Sequence, residues 1–180
     1  MTGTSARAAL LSTFRWVDGH ADIWRLFYDA DVLRVVVDEL AAAVRHASAT
    51  KVAGIESRGF VLGGAVATQA GLGFVPIRKE PGLFPGRKLT VRAAADYRGH
   101  EHLLRLQRDA LDSEDRLVLV DDWAELGSQA LAAKQLIVES GATWAGLALI
   151  VDQLPDETRE ALAPVTRIVT ADDLGPSVSP

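Results

Sequence analysis

Two adjacent carboxylates, Asp121 and Asp122, follow the apolar run 116–120 and precede a short polar turn. Because they stand side by side, they can accept hydrogen bonds from two neighbouring hydroxyls, such as the cis-diol of a ribose. At the start of the next helix, the turn would direct backbone N–H groups and the Ser128 hydroxyl toward a bound anion. This arrangement is suited to binding phosphate. Its residues are Glu125, Leu126, Gly127, Ser128 and Gln129. The segment therefore indicates a phosphorylated ribose ligand, although paired acids also occur simply as favourable neighbours of a helix N-terminus.

Cationic side chains follow two other apolar runs. Arg58 comes shortly after the run 51–55, whereas Arg78 and Lys79 directly follow the run 73–77. Each of these cations, taken alone, is equally typical of a solvated strand end. Ligands of a parallel sheet bind at the carboxyl ends of its strands, where the three cations would converge with the paired carboxylates. The sequence therefore predicts a polyanion site at that edge.

Strands alternate with helices along most of the chain, as the spacing of apolar residues indicates. One helix is predicted to start near Asp31, which is a suitable N-cap residue. Most predicted strands are apolar on both faces, which is typical of a parallel sheet covered on both sides. The predicted fold class is therefore α/β, with a mainly parallel sheet flanked by helices. Strands are expected at 51–55, 73–77, 116–120, 145–151 and 165–170, and the later helices at 60–70, 130–140 and 155–162.

The length of 180 residues is enough for one domain with a substantial core, so a single domain over residues 1–180 is expected. Residues 81–98 are rich in glycine, proline and charge, and we predict a mobile loop there.

Composition argues against several classes of function. The net charge of -5 disfavours sequence-independent binding to nucleic acid and to anionic membranes. The absence of cysteine excludes disulfides, thiolate zinc sites and a cysteine nucleophile, and the four histidines lack metal-ligand spacing. No apolar run reaches the roughly 18 residues needed to span a bilayer, and the N-terminus lacks a signal-peptide pattern. We therefore expect a cytoplasmic protein without nucleic-acid or membrane partners.

Three motifs occur in the order and spacing of a known family. The run LVLVDD at 117–122 resembles the phosphoribosyl pyrophosphate signature of the type I phosphoribosyltransferases. The run GIESRGF at 54–60 resembles their pyrophosphate loop, and FVPIRK at 74–79 resembles the segment leading into their flexible catalytic loop. The chain is most similar to the adenine phosphoribosyltransferase branch, and the resemblance covers roughly residues 10–172.

This resemblance implies the type I phosphoribosyltransferase fold, with a small N-terminal hood at roughly residues 10–30 and a flexible loop at roughly 80–100. It also implies an enzyme that joins a purine-type base to phosphoribosyl pyrophosphate and releases pyrophosphate. Mg²⁺ is the cofactor that the resemblance implies, and a homodimer is the implied assembly.

The resemblance further implies roles for the matching residues. Asp121 and Asp122 would hold the ribose hydroxyls and would contact Mg²⁺ only through the ribose or water, while the turn 125–129 would hold the 5′-phosphate. The residues expected to face the pyrophosphate are Arg58, Arg78 and Lys79. The expected catalytic residues are Arg58 and Asp96. The expected base-binding residues are Ile23, Trp24, Asp152 and Leu154.

Three segments depart from the family pattern. The phosphate-binding turn carries Glu125, and two like unit charges about 4 Å apart at an effective dielectric near 20 repel by roughly 4 kcal/mol. Asp96 stands where the mobile loop of the family has a glutamate, and it is either an acid or base or an ordinary loop residue. In the hood, Ile23 or Trp24 could stack on a base or belong to the core. A non-catalytic module that binds phosphoribosyl pyrophosphate or a nucleotide is therefore the alternative function.

Overall fold

Nine strands occur in the computed structural model, counted over the residues that it describes, 5–95 and 99–176. They are β1 (Trp16–Val17), β2 (His20–Ala21), β3 (Lys51–Ile55), β4 (Gly73–Lys79), β5 (Lys88–Ala93), β6 (His102–Gln107), β7 (Arg116–Ala124), β8 (Thr143–Asp152) and β9 (Val165–Thr170). Strands β1 and β2 form a separate hairpin, and the other seven form one sheet in the order β5-β6-β4-β3-β7-β8-β9. The five neighbouring strands β4, β3, β7, β8 and β9 are parallel, whereas β5 and β6 add an antiparallel pair at one edge. The predicted α/β fold with a mainly parallel sheet is confirmed.

Helices cover both faces of this sheet. The α-helices are α1 (Ala6–Thr13), α2 (Ala30–His46), α3 (Arg58–Ala70), α4 (Ser128–Glu139) and α5 (Asp156–Ala161), and short 3-10 helices occupy Ile23–Phe27, Arg108–Ala110 and Asp172–Leu174. Helices α1, α2 and α3 contribute to one apolar layer, and α4 contributes to the layer on the opposite face. The central strands lie between these layers, which explains why their sequences are apolar on both faces. Within the described residues, no helix is both long and apolar enough to cross a membrane.

Helix α2 begins with a different cap from the one predicted. The Asp29 side chain accepts hydrogen bonds from the backbone N–H groups of Asp31 and Val32, at 2.9 and 3.1 Å. Asp29 is therefore the N-cap, and the assignment of Asp31 was wrong. Asp31 instead lies in the first turn, where its charge is favourable near the positive end of the helix.

Strand β5 lies inside the segment for which we predicted a loop, so that prediction was wrong for residues 88–93. Leu89, Val91 and Ala93 alternate with polar residues, and the apolar members face inward against β6 and α4. This period of two is a strand signal. It was obscured because the flanking residues are glycine, proline and charged side chains.

Candidate functional site

A cleft of about 560 Å³ opens at the carboxyl ends of β3, β4 and β7, next to the N-terminus of α4. A parallel α/β sheet usually binds its ligand at this edge. The predicted site residues that line the cleft are Ile23, Arg58, Lys79, Asp121, Asp122, Glu125, Leu126, Gly127, Ser128 and Gln129. The structure therefore brings together the residues predicted for ribose and phosphate and two of the three predicted for pyrophosphate.

The paired carboxylates are held rigidly because β7 continues beyond its predicted end at Val120, as far as Ala124. Parallel pairing with β8 extends over the same residues, with Asp121 opposite Leu149 and Ala124 opposite Asp152. Both carboxylates thus project from a strand instead of a loop, and their positions are fixed by the sheet.

Asp121 and Asp122 have different electrostatic surroundings. The Oδ2 atom of Asp122 accepts a hydrogen bond from Arg58 Nε at 2.5 Å, and the Asp122 side chain is 5% exposed. The Oδ1 atom of Asp121 accepts the backbone N–H of Asp122 at 3.0 Å. Burial and the adjacent charge of Asp122 raise the pKa of Asp121 well above its usual range. Asp121 therefore binds a proton more tightly than an ordinary aspartate, and in its protonated form it can donate as well as accept a hydrogen bond.

Close backbone packing places Arg58 beside these acids. A Cβ atom at Gly54 would overlap the carbonyl oxygen of Gly59, and a Cβ at Gly59 would lie 3.2 Å from Asp121 Oδ1. The two glycines let the first turn of α3 approach β3 and β7 without an intervening side chain. Arg58 is the first residue of α3, and its side chain consequently reaches Asp122 on strand β7.

The turn before α4 has the backbone of an anion site. Gly127 has a φ angle of 75°, and a Cβ there would lie 2.6 Å from both Leu154 Cδ2 and Thr158 Cγ2. Only glycine suits this position. Gly127 caps the N-terminus of α4, so the N–H groups of residues 128–130 have no acceptor within the helix. Residues 128–130 line the cleft, and the positive end of the helix dipole adds to their attraction for phosphate.

Of the two cations at the end of β4, Lys79 lines the cleft and Arg78 does not. Arg78 forms a two-pronged ion pair with Glu56, with Nε and Nη2 at 3.1 and 3.0 Å from the carboxylate oxygens. The hydrogen bond from Arg78 holds the pKa of Glu56 below its usual value. Arg78 also donates to the Leu83 carbonyl oxygen. Arg78 thus links the ends of β3 and β4 through this ion pair, and its contact with pyrophosphate stays a prediction.

Trp24 also lies outside the lining of the cleft, unlike its neighbour Ile23. The Cζ atom of Arg58 lies 5.7 Å from the centroid of the Trp24 ring. The ring of Phe27 packs against the same indole, with centroids 5.5 Å apart. Trp24 therefore makes a cation-π contact with the Arg58 guanidinium, and its stacking on a base stays a prediction.

Asp152 and Leu154, the other two predicted base-binding residues, lie behind the cleft wall. The Asp152 side chain is 0% exposed and is paired with Arg159 and Arg167. Leu154 is buried in the core and packs beneath Gly127. Both residues support the α4 turn and do not line the cleft.

An aromatic wall, made of Trp16, Ala21, Ile23, Trp123 and Gln153, closes one side of the cleft. The rings of Trp16 and Trp123 meet edge to face, with centroids 6.2 Å apart. Sequence analysis missed both tryptophans as site residues because they are far apart in the chain. The only available signal was that Trp123 directly follows the paired carboxylates.

Two predicted features of the site, the catalytic role of Asp96 and the indirect magnesium contacts of Asp121 and Asp122, stay predictions. Asp96 lies outside the described residues, so its catalytic role stays a prediction. Within residues 5–95 and 99–176, no group of three or more His, Cys, Asp or Glu side chains forms a metal site.

The chain is similar to known proteins over most of its length, although no protein-family model matches it. It is 42% identical over 135 residues to the adenine phosphoribosyltransferase of Cereibacter sphaeroides, which covers 75% of this chain and 74% of that relative. The adenine phosphoribosyltransferase of Streptomyces clavuligerus is 41% identical over 160 residues, covering 84% of this chain and 87% of that relative. The crystal structure of adenine phosphoribosyltransferase from Rhodothermus marinus superposes with a TM-score of 0.80 at 28% identity, covering 92% of this chain and 98% of that chain.

Proposed function

This chain belongs to the adenine phosphoribosyltransferase family, and we propose that three groups of residues in its cleft share the work of phosphoribosyl transfer. The protein is a pentosyltransferase that joins a purine-type base to 5-phospho-α-D-ribose 1-diphosphate and releases pyrophosphate. Nothing in the similarities favours the alternative of a non-catalytic binding module. The observation that carries the site assignment is the convergence of paired carboxylates, the α4 turn and two cations in one cleft.

Asp121 and Asp122 hold the ribose, and residues 125–129 hold the 5′-phosphate. The carboxylates can accept hydrogen bonds from the 2′- and 3′-hydroxyls, while the N–H groups at the start of α4 bind the phosphate oxygens. Glu125 lines the same turn, and a phosphate would repel its carboxylate. Its side chain must therefore turn toward a cation or away from the ligand when the phosphate binds.

Arg58 and Lys79 act on the departing diphosphate. A ring nitrogen of the base forms a bond to C1′, the bond from C1′ to the diphosphate oxygen breaks, and the proton of the ring nitrogen passes to water or to the departing diphosphate. Negative charge accumulates on the leaving diphosphate, and two cations aimed at it stabilise the transition state. Arg58 already contacts Asp122, so the same guanidinium can link the ribose-binding carboxylate to the leaving group.

The base lies against the aromatic wall, next to the ribose-binding carboxylates. Flat heterocycles pack well against indole rings and an aliphatic side chain such as Ile23. Trp123 comes directly after Asp122, so a base attached to C1′ of a ribose held by Asp122 would face this wall.

Mg²⁺ is the proposed cofactor, and the donor set of the cleft suits it. Magnesium ions commonly keep several waters and are bound through one or two carboxylates together with substrate phosphates. Asp121 and Asp122 would contact the ion through water or the ribose hydroxyls. When bound, the ion supplies positive charge that neutralises the diphosphate.

A homodimer in the cytoplasm completes the proposal. The homodimer is implied by the family resemblance, whereas the cytoplasmic location is the expectation from the sequence composition, and the net charge of -5 suits a protein without nucleic-acid or membrane partners. Light scattering coupled to gel filtration measures the assembly directly.

A pair of glycine variants tests the site. Gly127→Ala forces a Cβ into Leu154 and Thr158 and displaces the turn that holds the phosphate. Gly141, which directly follows Ser140 at the other end of α4, also has a positive φ of 96°, but a Cβ there meets nothing within 4 Å. Gly141→Ala therefore carries a similar backbone strain, about 1–2 kcal/mol, without touching the cleft.

We expect pyrophosphate release from the wild-type protein with Mg²⁺, phosphoribosyl pyrophosphate and a purine, and none with uracil or orotate. Gly127→Ala should weaken calorimetric binding of phosphoribosyl pyrophosphate at least about tenfold, and Gly141→Ala should leave it unchanged. Equal binding by both variants would show that the α4 turn does not hold the phosphate.

A further inference from the structure

Arg105, on strand β6, is a buried cation with an unusual set of contacts. The residue is 9% exposed. Its Nη2 atom donates hydrogen bonds to the carbonyl oxygens of Lys79, at 3.3 Å, and of Gly82. Within the part of the chain that the structure describes, its Nε atom is buried and has no hydrogen-bond acceptor. A buried arginine is usually paired with a carboxylate, whereas these two hydrogen bonds end on backbone carbonyl oxygens.

Stability alone does not account for an arginine at this position. A buried donor without an acceptor is unfavourable for folding, and the replacement of buried charged groups by apolar side chains of similar volume is often neutral or stabilising. The neighbouring residues Leu104 and Leu106 are fully buried in the apolar layer to which α4 contributes. What distinguishes Arg105 from them is its pair of hydrogen bonds to the segment that follows β4.

This segment is a tight turn that begins at Lys79, the last residue of β4, and ends at Gly82. The Gly82 N–H donates to the Lys79 carbonyl oxygen at 3.3 Å. One guanidinium nitrogen of Arg105 therefore contacts both the first and the last residue of the turn. Arg78 donates to the carbonyl oxygen of the next residue, Leu83. Arg105 thus closes the turn itself, and Arg78 holds the residue after it.

The backbone of Lys79 is fixed at both of its polar groups. Its N–H donates to Glu56 Oε2 at 3.1 Å, and its carbonyl oxygen accepts from Arg105. A lysine side chain is a flexible four-carbon stem with a charged end, so the region that its ammonium group reaches depends on where its backbone is held. Lys79 lines the cleft and Arg105 does not. The effect of Arg105 on the cleft therefore passes through the turn and through Lys79.

We propose that Arg105 is a positioning residue that fixes the turn 79–82 and thereby aims the Lys79 ammonium group at the leaving diphosphate. The inference rests on the proposed function and deepens it, because it names a residue outside the cleft on which the action of Lys79 depends. Arg105 does not contact the substrate and takes no part in the bond exchange at C1′. A displacement of about 1 Å in a catalytic group can lower a rate about hundredfold, so a side chain that only fixes a turn can have a large effect.

A double-mutant cycle separates this role from a general effect on the fold. Its four proteins are wild type, Arg105→Met, Lys79→Met and the variant with both changes. Arg105→Lys tests rescue, because an ammonium group can also donate to two carbonyl oxygens. Arg116→Met is the control. Arg116 likewise donates to two backbone carbonyl oxygens, those of Ser48 and Ala47, but it lies at the start of β7, at the opposite end of the strand from the cleft.

The quantity to measure is kcat/KM for phosphoribosyl pyrophosphate with Mg²⁺ and saturating adenine. Lys79→Met should lower it about hundredfold, because a cation that faces the leaving group is lost. Arg105→Met should lower it about tenfold, mainly through kcat, because Lys79 remains but is no longer held in place. The variant with both changes should match Lys79→Met within about twofold, since Arg105 then has no ammonium group to position. Arg105→Lys should recover part of the loss, and Arg116→Met should behave like wild type.

The proposal is overturned if Arg105→Met has the same kcat/KM as wild type, or if its loss recurs in full when it is added to Lys79→Met. A rise in the KM for adenine in Arg105→Met would also overturn it, because that rise would reveal a general disturbance of the cleft. If Arg105→Met does not fold, Arg105→Gln takes its place in the same cycle.

Failure of the proposed function is distinguishable from failure of this inference. If no base supports pyrophosphate release by the wild-type protein, the transferase assignment fails. Calorimetric titration with inorganic pyrophosphate and Mg²⁺ then decides the role of Arg105, because it reports the contact with Lys79 without turnover. Arg105→Met should weaken this binding when Lys79 is present and should not weaken it further in Lys79→Met. Equal weakening in both backgrounds, or none in either, would refute the role of Arg105.

Discussion

Asp122 and Asp152 lie near the carboxyl ends of neighbouring parallel strands, yet their surroundings differ. Both residues are buried, at 4% and 1% exposure, and both face arginine. Asp122 lines the cleft and pairs with Arg58, which lines the cleft as well. Asp152 lies behind the wall and pairs with Arg159 and Arg167.

The difference lies in how much of each carboxylate's hydrogen-bonding capacity the protein uses. A carboxylate can accept about four hydrogen bonds. Asp152 receives four, from the backbone N–H of Leu154, from two nitrogens of Arg159 and from one of Arg167. Within the described residues Asp122 accepts one hydrogen bond from a cation, Arg58 Nε, and shares a side-chain hydrogen bond with Asp121. Burial and ion pairing therefore do not distinguish the acid in the cleft from the acid behind its wall, whereas unused acceptor capacity does.

The largest expected effect on stability comes from Asp152→Ala. This change removes a fully satisfied buried carboxylate and leaves two arginines and a backbone N–H without their acceptor. Because both arginines are partly solvated, we expect a loss of about 3 kcal/mol in the free energy of unfolding. Urea denaturation measures it. The folded variant should bind phosphoribosyl pyrophosphate like wild type, and a loss of affinity would make Asp152 a ligand residue after all.

Asp122→Asn should have the opposite effect to Asp152→Ala, because it should impair catalysis and leave stability nearly unchanged. The amide keeps the size of the side chain but loses charge-assisted hydrogen bonds to the ribose, so we expect kcat/KM to fall roughly ten- to hundredfold. The unfolding free energy should change little, because Arg58 remains partly solvated. Asp109→Asn, which removes an exposed partner of Arg87, is the matched control. Unchanged calorimetric binding of phosphoribosyl pyrophosphate to Asp122→Asn would exclude the ribose role.

Much of this architecture could be predicted from the sequence, because apolar runs and turn residues are local signals. They indicated the parallel strands, the edge where Asp121 and Asp122 lie, and the glycine turn before α4. They did not separate Asp152 from Asp122, since the arginines that enclose Asp152 come from α5 and β9 and follow no spacing rule.

The aromatic wall could not be predicted for the same reason. Trp16, Trp123 and Gln153 come from the N-terminal hairpin and from the ends of two strands. Only the tertiary fold brings them together. Arg78 is the converse case. Its position after a predicted strand indicated a ligand contact, but only the fold shows that Glu56 lies close enough to pair with Arg78.

A smaller effect, and one that depends on pH, is expected for Asp121→Asn. The pKa of Asp121 is raised in the folded protein, so the folded state holds its proton to higher pH than the unfolded state does. Stability is then lost as pH rises from the unfolded value toward the folded one. We expect Asp121→Asn to be more stable than wild type at pH 7 by about 0.5–2 kcal/mol, the usual range for relieving strain in an active site.

The difference in unfolding free energy between wild type and Asp121→Asn should disappear near pH 3. At this pH, below the unfolded pKa, Asp121 is protonated in both the folded and the unfolded state. Urea denaturation at several pH values tests this, and a gap that is constant with pH would contradict the cause. Binding of phosphoribosyl pyrophosphate should weaken in the same variant. A gain in stability together with a loss of affinity would separate this cleft acid from Asp152, whose replacement should lower stability and leave affinity unchanged.

The smallest effect is expected for Arg167→Met, and it tests whether the two arginines around Asp152 are equivalent. Arg167 makes one contact with Asp152, at 3.3 Å, and is 44% exposed. Arg159 makes two contacts with the same carboxylate and also donates to the Leu154 carbonyl oxygen at 2.7 Å. The Arg167 guanidinium is largely solvated and its single contact is long, so Arg167→Met should cost about 0.5 kcal/mol or less. Arg159→Met should cost about 1–2 kcal/mol, because a buried carboxylate loses charge-assisted hydrogen bonds. Equal losses in urea denaturation would mean that net charge around Asp152, and not the directed bonds of Arg159, stabilises this part of the fold.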